Sequence, residues 1–558
     1  MNRTQAASYD VLVDGADLAQ EEKDRIKEIC VTDYLRLPDV CTLQITYPGA
    51  DGIDSQPFEI GKAIEIRLGA AKERVPHPLF KGHIVAVELE FGAGGCSLLV
   101  RAYDGSHVLH RSRQARTFQN QTSSDIVAKI VREAGLTAQC DPSGEPHDFV
   151  QQDNETNWEH IWRHADRIGF EFVVEDTTAY FRRPEAESSV ELEWPESLHS
   201  FRPRMTAVQQ VKEVTLRAHD PKSKSAIESR ATNPQQIAQI GVARSEVADA
   251  FSAEPLHVAT EPVASKAEGD ALAQALLDRL ANGYIAAEGR AQGNPKIKAG
   301  AKVKVSGVGA KFSGTYRVAM SRHVLRAEGY ETFFANSPSH TILDAVGSNG
   351  NGAPSFGSQL VLGLVTNNED PDKMGRVRVK FPAISDDLEG AWARVATPSA
   401  GNERGLLMLP VAGEEVLVGF EHGDTRRPYV LGSLFNGKDL PGDDLVRDGS
   451  GSFALKSDAE IYTQSKKDYT IKSDGKLVIE IGDDVEEKYK KDWKHETSGA
   501  ASLKATRDVD VEGQNVTIKG NAQVSIQGTT TLELKCGAAS ITLDASGVRI
   551  SGPMINLG

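Results

Sequence analysis

The sequence has no surplus of positive charge. Its 63 lysines and arginines stand against 79 aspartates and glutamates, a net charge of −16 over 558 residues. Phosphate contacts supply most of the affinity of a nucleic-acid binder, so no nucleic acid is expected among the partners. Cysteine is scarce as well. Cys30, Cys41, Cys96, Cys140 and Cys536 are scattered, odd in number and without a C-x-x-C pair. That suggests neither a disulfide framework nor a zinc site and leaves free thiols made in a reducing cytosol as the expectation. No stretch approaches the roughly 18 apolar residues of a membrane-spanning helix. The opening Met-Asn-Arg-Thr-Gln-Ala-Ala-Ser has no apolar segment, so no signal peptide is expected and export would need another machine.

Catalytic signatures are missing too. There is no G-x-S-x-G elbow and no G-x-x-x-x-G-K-[ST] loop. His160 and His164 form H-x-x-x-H, but a metalloprotease helix needs Glu directly after the first His, and Glu159 precedes it. Both histidines lie off the apolar stripe of their helix and read as a solvated flank. Gly307-Val-Gly309 has the wrong spacing for a dinucleotide loop and reads as a hairpin turn. The expectation is therefore no enzyme, with no catalytic residue, cofactor or metal ligand.

What is present is mostly β. Residues 1–185 show alternating runs at Cys41–Tyr47, Ala63–Leu68 and Gly82–Phe91. A capping signal, Thr122-Ser-Ser-Asp125, opens a helix with Ile126, Ile130 and Val131 on one face. A second helix over about Thr156–Ile168 carries Trp158, Ile161, Trp162, Ala165 and Ile168 on one stripe, and Gly169 ends it. Residues 186–345 give a strand at Val208–Leu216, a helix near Ala264–Asn282 and strands at Ala301–Ser306 and Gly314–Val324. Residues 346–358 are a Gly/Ser/Asn linker. Residues 359–440 offer short strands at Leu360–Thr366, Gly375–Phe381, Ala391–Val395, Gly405–Leu409, Glu415–Phe420 and Pro428–Leu431, the pattern of a small barrel. Its aromatics Phe381, Trp392, Phe420 and Tyr429 sit at core-like parities, which leaves little base-stacking surface.

Residues 450–558 repeat. The pairs Val509/Val511, Val516/Ile518, Val524/Ile526, Leu532/Leu534, Ile541/Leu543, Val548/Ile550 and Ile555/Leu557 follow one another at steps of 7, 8, 8, 9, 7 and 7 residues. Such a unit is one short strand and a tight turn. It offers two or three apolar side chains and cannot bury a core by itself. Three chains wrapped together would supply three sides of a triangle, leaving no free sheet edge along the shaft. Val511, Val516, Ile518, Val524, Ile526, Leu532, Leu534, Ile541, Leu543, Val548 and Ile550 would meet at the axis. Cys536 shares their parity and reads as a small inward residue. The shaft would be roughly 50 Å long at strand spacing. Its exposed end, Pro553, Met554, Ile555, Asn556 and Leu557, would invite a cap.

The stretch Gly363–Pro382, with Trp392-Ala-Arg-Val395, Pro410–Phe420 and Gly423-Asp424, resembles the OB-fold domain of VgrG spikes and phage baseplate spike proteins. Upstream, Arg101-Ala-Tyr-Asp104, Arg116–Asn120, Asn154–Trp158, Gly169–Phe172 and Gly329–Phe333 resemble the tail hub domain of the same family, and the terminal repeat is similar to its β-prism. The resemblance implies a mainly β fold with a few helices: a hub of two barrel-like modules, an OB barrel and an intertwined triangular prism. It implies a homotrimeric central spike of a contractile injection machine. Inner tube and baseplate proteins would bind the hub, a PAAR-type tip protein would cap the prism, and a target membrane would be pierced on firing. The protein would be made in the cytoplasm and assembled into an extracellular or cell-anchored particle. A short opening and a short prism favour the extracellular, phage-tail-like particles over a type VI VgrG. A third reading is a β-helical tail-spike enzyme that degrades glycans. The last histidine is His495, so a His-x-His iron site at the apex is not expected.

Overall fold

The fold is described from a computed structural model, covering residues 8–49, 53, 56–70, 75–92, 95–184, 189–235, 238–251, 254–337, 359–383, 389–441, 455–457 and 460–556. The linker read at 346–358 and the last apolar residue of the repeat, Leu557, lie outside these residues. The chain forms two compact units, 1–456 and 457–558.

The helices of the first unit start where their caps dictate. Helix α1, Ser123–Glu133, is opened by Thr122 and Asp125 in a reciprocal capping box. Helix α2, Asn157–Ile168, has the same device in Thr156 and Glu159 and ends on Gly169 at φ 70°, a left-handed position that glycine adopts without strain. Helix α3, Lys266–Asn282, is capped by Ser265. Trp158, Ile161 and Ala165 of α2 pack with Ile126, Ile130 and Val131 of α1 and with Phe118, Phe172 and Phe181 in one core.

An 11-stranded sheet organises the rest. The strands Val40–Tyr47, Gly95–Tyr103, His77–Gly92 and Ala63–Leu68 follow in that spatial order from Ile26–Tyr34. On its other side, Ile26–Tyr34 pairs antiparallel with Met320–Arg326, with Cys30 opposite Val324. The sheet thus joins strands from residues 1–185 with strands from residues 186–345. Within 186–345, the strand expected at Val208–Leu216 begins only at Val214. Val208 is exposed, and its segment is a turn. Gly307 and Gly309 do lie in the turn between the antiparallel strands Lys302–Ser306 and Gly314–Arg317, both at φ 82°.

Five strands, Val361–Asn367, Arg376–Lys380, Trp392–Val395, Pro428–Ser433 and Glu415–Phe420, close into a barrel in that order. Arg-Val-Arg-Val-Lys at 376–380 shows why: alternate residues face opposite sides of a strand, so Val377 and Val379 enter the core and the cations stay out. Gly405–Leu409 is not a strand. Only Arg404–Gly405 pair, and Leu406, Leu407 and Met408 run on exposed, because three successive apolar residues cannot all face one core. Trp392 and Tyr429 also depart from expectation. Ala393 and Val430 take the core positions, which turns their neighbours outward. Arg376 and Arg378 lie 5.6 and 5.2 Å from the Trp392 ring, and Arg394 lies 5.6 Å from that of Tyr429.

The loop before the second barrel strand is held by Asp370. Its carboxylate accepts from the backbone N–H of Asp372, Met374 and Arg376 at 3.0, 2.7 and 3.2 Å and from the Arg376 guanidinium at 2.6 Å. Burial pushes its pKa up, but Arg376 and the amides outweigh it and hold the group well below the usual carboxylate range. Asp370→Ala strands those donors and is expected to lower stability by about 2–3 kcal/mol, read as a shift in the urea midpoint.

In the second unit, Leu532–Cys536, Ala539–Asp544 and Gly547–Ser551 form an antiparallel meander. Its register sets Leu534, Ile541 and Ile550 in one cross-strand row and Leu532, Leu543 and Val548 in the next.

Candidate functional site

Directly opposed residues in a sheet project to the same side. The two rows of the meander therefore make one face of six aliphatic side chains. In the single chain Leu534 is 55% exposed, Val548 66% and Ile550 48%. Val511, Val516, Ile518, Val524 and Ile526 are exposed as well, on segments without strand pairing among the described residues. Pro553, Met554, Ile555 and Asn556 follow the last strand, all exposed. Cys536, opposite Ala539, is exposed too. An apolar face of this kind needs a cover, and nothing among the described residues supplies one.

The first unit carries a second site, where the hub meets the barrel. The turn Glu421–Arg427 is fixed by two arginines. Arg426 donates to Asp424 at 2.8 Å within the turn and to Glu268 of α3 at 2.9 Å. Arg167 of α2 also donates to Glu268, at 3.0 Å, and to Glu261 at 3.1 Å. Burial raises Glu268, but Arg426 and Arg167 outweigh it and hold the carboxyl at about 2. Arg427 donates to the carbonyls of His219, at 3.2 Å, and of Val263. Lys222 pairs with Asp372 at 3.0 Å, and Gln119 donates to the Glu389 carbonyl. A cavity of about 650 Å³ lies under the turn, lined by His147, Gln151, His164, Arg167, Thr425 and Arg426.

His160 and His164 are not solvated. They are 0% and 6% exposed. Helix α2 is covered on more than its Trp/Ile side, since strand His147–Thr156 and α3 pack against it as well. His160 accepts or donates at Nδ1 to Glu155, 2.6 Å away, and His164 Nδ1 lies 2.9 Å from Ser123 Oγ. Among the described residues no group of three or more His, Cys, Asp or Glu side chains is placed to hold a metal ion. Ser123 is itself 2% exposed. The Ser–His contact lies at the wall of that cavity, beneath the turn.

Sequence reasoning did not reach this junction. Arg426 and Glu268 stand 158 residues apart. The only local signal is two successive arginines in a turn bounded by Gly423 and Pro428.

A family model described as the Alg8 N-terminal domain matches residues 4–327, and one described as the type VI secretion system/phage-baseplate injector OB domain matches residues 361–435. The chain is 24% identical over 426 residues to the type VI secretion system spike protein VgrG1b of Pseudomonas aeruginosa, covering 69% of this chain and 54% of that protein. It is 42% identical over 69 residues to VgrG4b of the same organism, covering 12% of this chain and 8% of that protein. The chain spans about half the length of VgrG1b and VgrG1a, the curated relatives it matches over most of its own length. Among solved structures, an E. coli component of the type VI secretion system is similar at a TM-score of 0.47 and 17% identity, covering 73% of this chain and 96% of that one.

Proposed function

This chain belongs to the Alg8 N-terminal domain family and carries a baseplate injector OB domain behind it, and from that membership we propose that it is the homotrimeric central spike of a contractile injection machine. Residues 1–185 and 186–345 are the two halves of a hub that meets the inner tube and baseplate. Residues 359–440 are the adaptor barrel, and 450–558 the piercing prism. The work is force transmission: a stiff trimer is driven through a target membrane, and no residue does covalent chemistry.

The observation that carries the reading is the uncovered face of Leu532, Leu534, Ile541, Leu543, Val548 and Ile550, set behind a hub and an injector barrel in one chain. Two further copies of the same face cover it at a threefold axis. Mass in solution tests this. Three times the 60.3 kDa chain is expected, and a monomer at every concentration would sink it. The relatives named as type VI spike proteins support the alternative of a cell-anchored type VI spike; the particle in which the protein is found decides between the two.

Pro553, Met554, Ile555, Asn556 and Leu557 are the docking site for a PAAR-type tip protein in this reading. Removing residues 553–558 is expected to leave the trimer intact and abolish tip binding in a pull-down. Undiminished tip retention would refute the site.

A further inference from the structure

The hub–barrel junction contains two buried histidines, His160 and His164, and a half-buried one, His147, that force transmission does not use. Ser123 Oγ lies 3.0 Å from His147 Nε2 and 2.9 Å from His164 Nδ1. A hydroxyl has one proton to give. It goes to the bare nitrogen of one ring, and the other ring supplies an N–H in return. The hydroxyl proton is used only while at least one ring is neutral at that nitrogen; two N–H rings would instead both donate to the oxygen. With both rings protonated the hydroxyl proton has no acceptor there.

The charges around the bridge make protonation costly. His164 is faced by His160 and Arg163 of its own helix, by His147 across the bridge and by Arg426 from the barrel, all of which disfavour a positive ring. His147 is faced by Arg426 and Arg167, offset by Glu268 and Asp424. His160 is faced by Glu155, Arg163 and Arg116. The Nε2 atoms of His160 and His164 are buried without a hydrogen-bond partner. Asp153, Glu159, Asp166 and Glu261 line the same cavity.

We propose that His147, Ser123 and His164 form an acid-sensitive latch that holds the Glu421–Arg427 turn of the barrel on the hub. Protonating both rings leaves the hydroxyl proton without an acceptor between them and sets new positive charge against Arg426, whose guanidinium lies 3.5 Å from His147 Nδ1, which weakens the hold of the turn.

The sign follows from linkage. Burial lowers all three histidines, His160 to about 4. Unfolded histidine titrates near ~6.5. The stability contributed by the neutral rings is complete above that value and is lost as pH falls from it toward the folded values. Glu268 and Asp424 are both held low and stay ionised in this window, so the arginine's own carboxylates do not cause the release. Elsewhere in the hub the sign is opposite. Burial raises Asp104 to about 7 and Asp39 well above its ordinary range, with Asp33 beside both, so that region gains stability as pH falls. Global melting adds the two effects together, and the readout has to be local.

Hydrogen exchange by mass spectrometry on the full chain, corrected for chemical rate, supplies it. Peptides covering 147–168 and 421–427 are expected to exchange about tenfold faster at about pH 5 than at about pH 7.5, one pK unit of linkage. Strands 40–47 and 95–103 are expected to hold. His164→Gln keeps a polar side chain with no titration, and in it the junction should lose most of its acid response. Equal protection at both pH values in the wild type, or acceleration spread evenly over the hub, overturns the latch without any variant. A full acid response in a folded His147→Gln/His164→Gln double variant overturns it as well.

Discussion

Arg426→Ala is expected to lower the stability of the hub–barrel unit by about 3–5 kcal/mol, the cost of breaking a buried ion pair from one side. The guanidinium is the cation between Asp424 and Glu268, both largely covered. Burial opposes its charge, but Asp424 and Glu268 raise its pKa further still, so the arginine stays ionised at any working pH. Removing it takes the shared cation from both carboxylates and leaves Glu268 with Arg167 and the Ala264 N–H. The pH dependence has a definite sign. Glu268 is held at about 2. The stability this lends is present above its ordinary carboxylate value near ~4.3 and is lost as pH falls toward the folded value. The variant therefore differs most from wild type at neutral pH, and the gap narrows below about pH 4. Arg426→Lys keeps the charge but cannot fork to two carboxylates, and about half the loss is expected. Urea denaturation at neutral pH measures both. A change below about 1 kcal/mol for the alanine variant, the range of an exposed pair, would show that the junction is not held by this residue.

Ile541→Asp is expected to abolish the trimer. Ile541 stands between Leu534 and Ile550 in its cross-strand row. In a threefold prism the substitution brings three carboxylates to one axis, and each carries a desolvation penalty of several kcal/mol before their mutual repulsion. The full chain should run at the single-chain mass of 60.3 kDa, with residues 457–558 open to protease. Thr542→Asp is the control. Thr542 is the next residue along the strand and faces the other side of the sheet. It should leave the trimer whole. Loss of the trimer in both variants, or in neither, would mean that the apolar rows do not face the axis.

How much of this could be read beforehand depended on the range of the interaction. The helices α1 and α2 were legible because Thr122/Asp125 and Thr156/Glu159 sit three residues apart and act locally. The barrel strands were legible wherever apolar and polar residues alternated. The strand expected at 405–409 failed because Leu406, Leu407 and Met408 do not alternate. Trp392 was misassigned by one residue of parity, which turns a core aromatic into one that stacks with arginine. His160 and His164 were misread because a single apolar stripe was taken to mark the only covered side of α2. Burial on the remaining sides comes from residues far away in sequence, and no local pattern records it. The junction at Arg426 belongs to the same class.

The pairing of Ile26–Tyr34 with Met320–Arg326 also has a consequence in time. Arg326 bonds Glu28 across 298 residues. On a ribosome adding about 5–20 residues per second, one side of the early strand stays unpaired for roughly 15–60 s. Throughout that interval a nine-residue row of backbone donors and acceptors is open to any passing strand. This sheet therefore cannot be completed as the first 185 residues leave the exit tunnel; its last central pairing waits for residue 326.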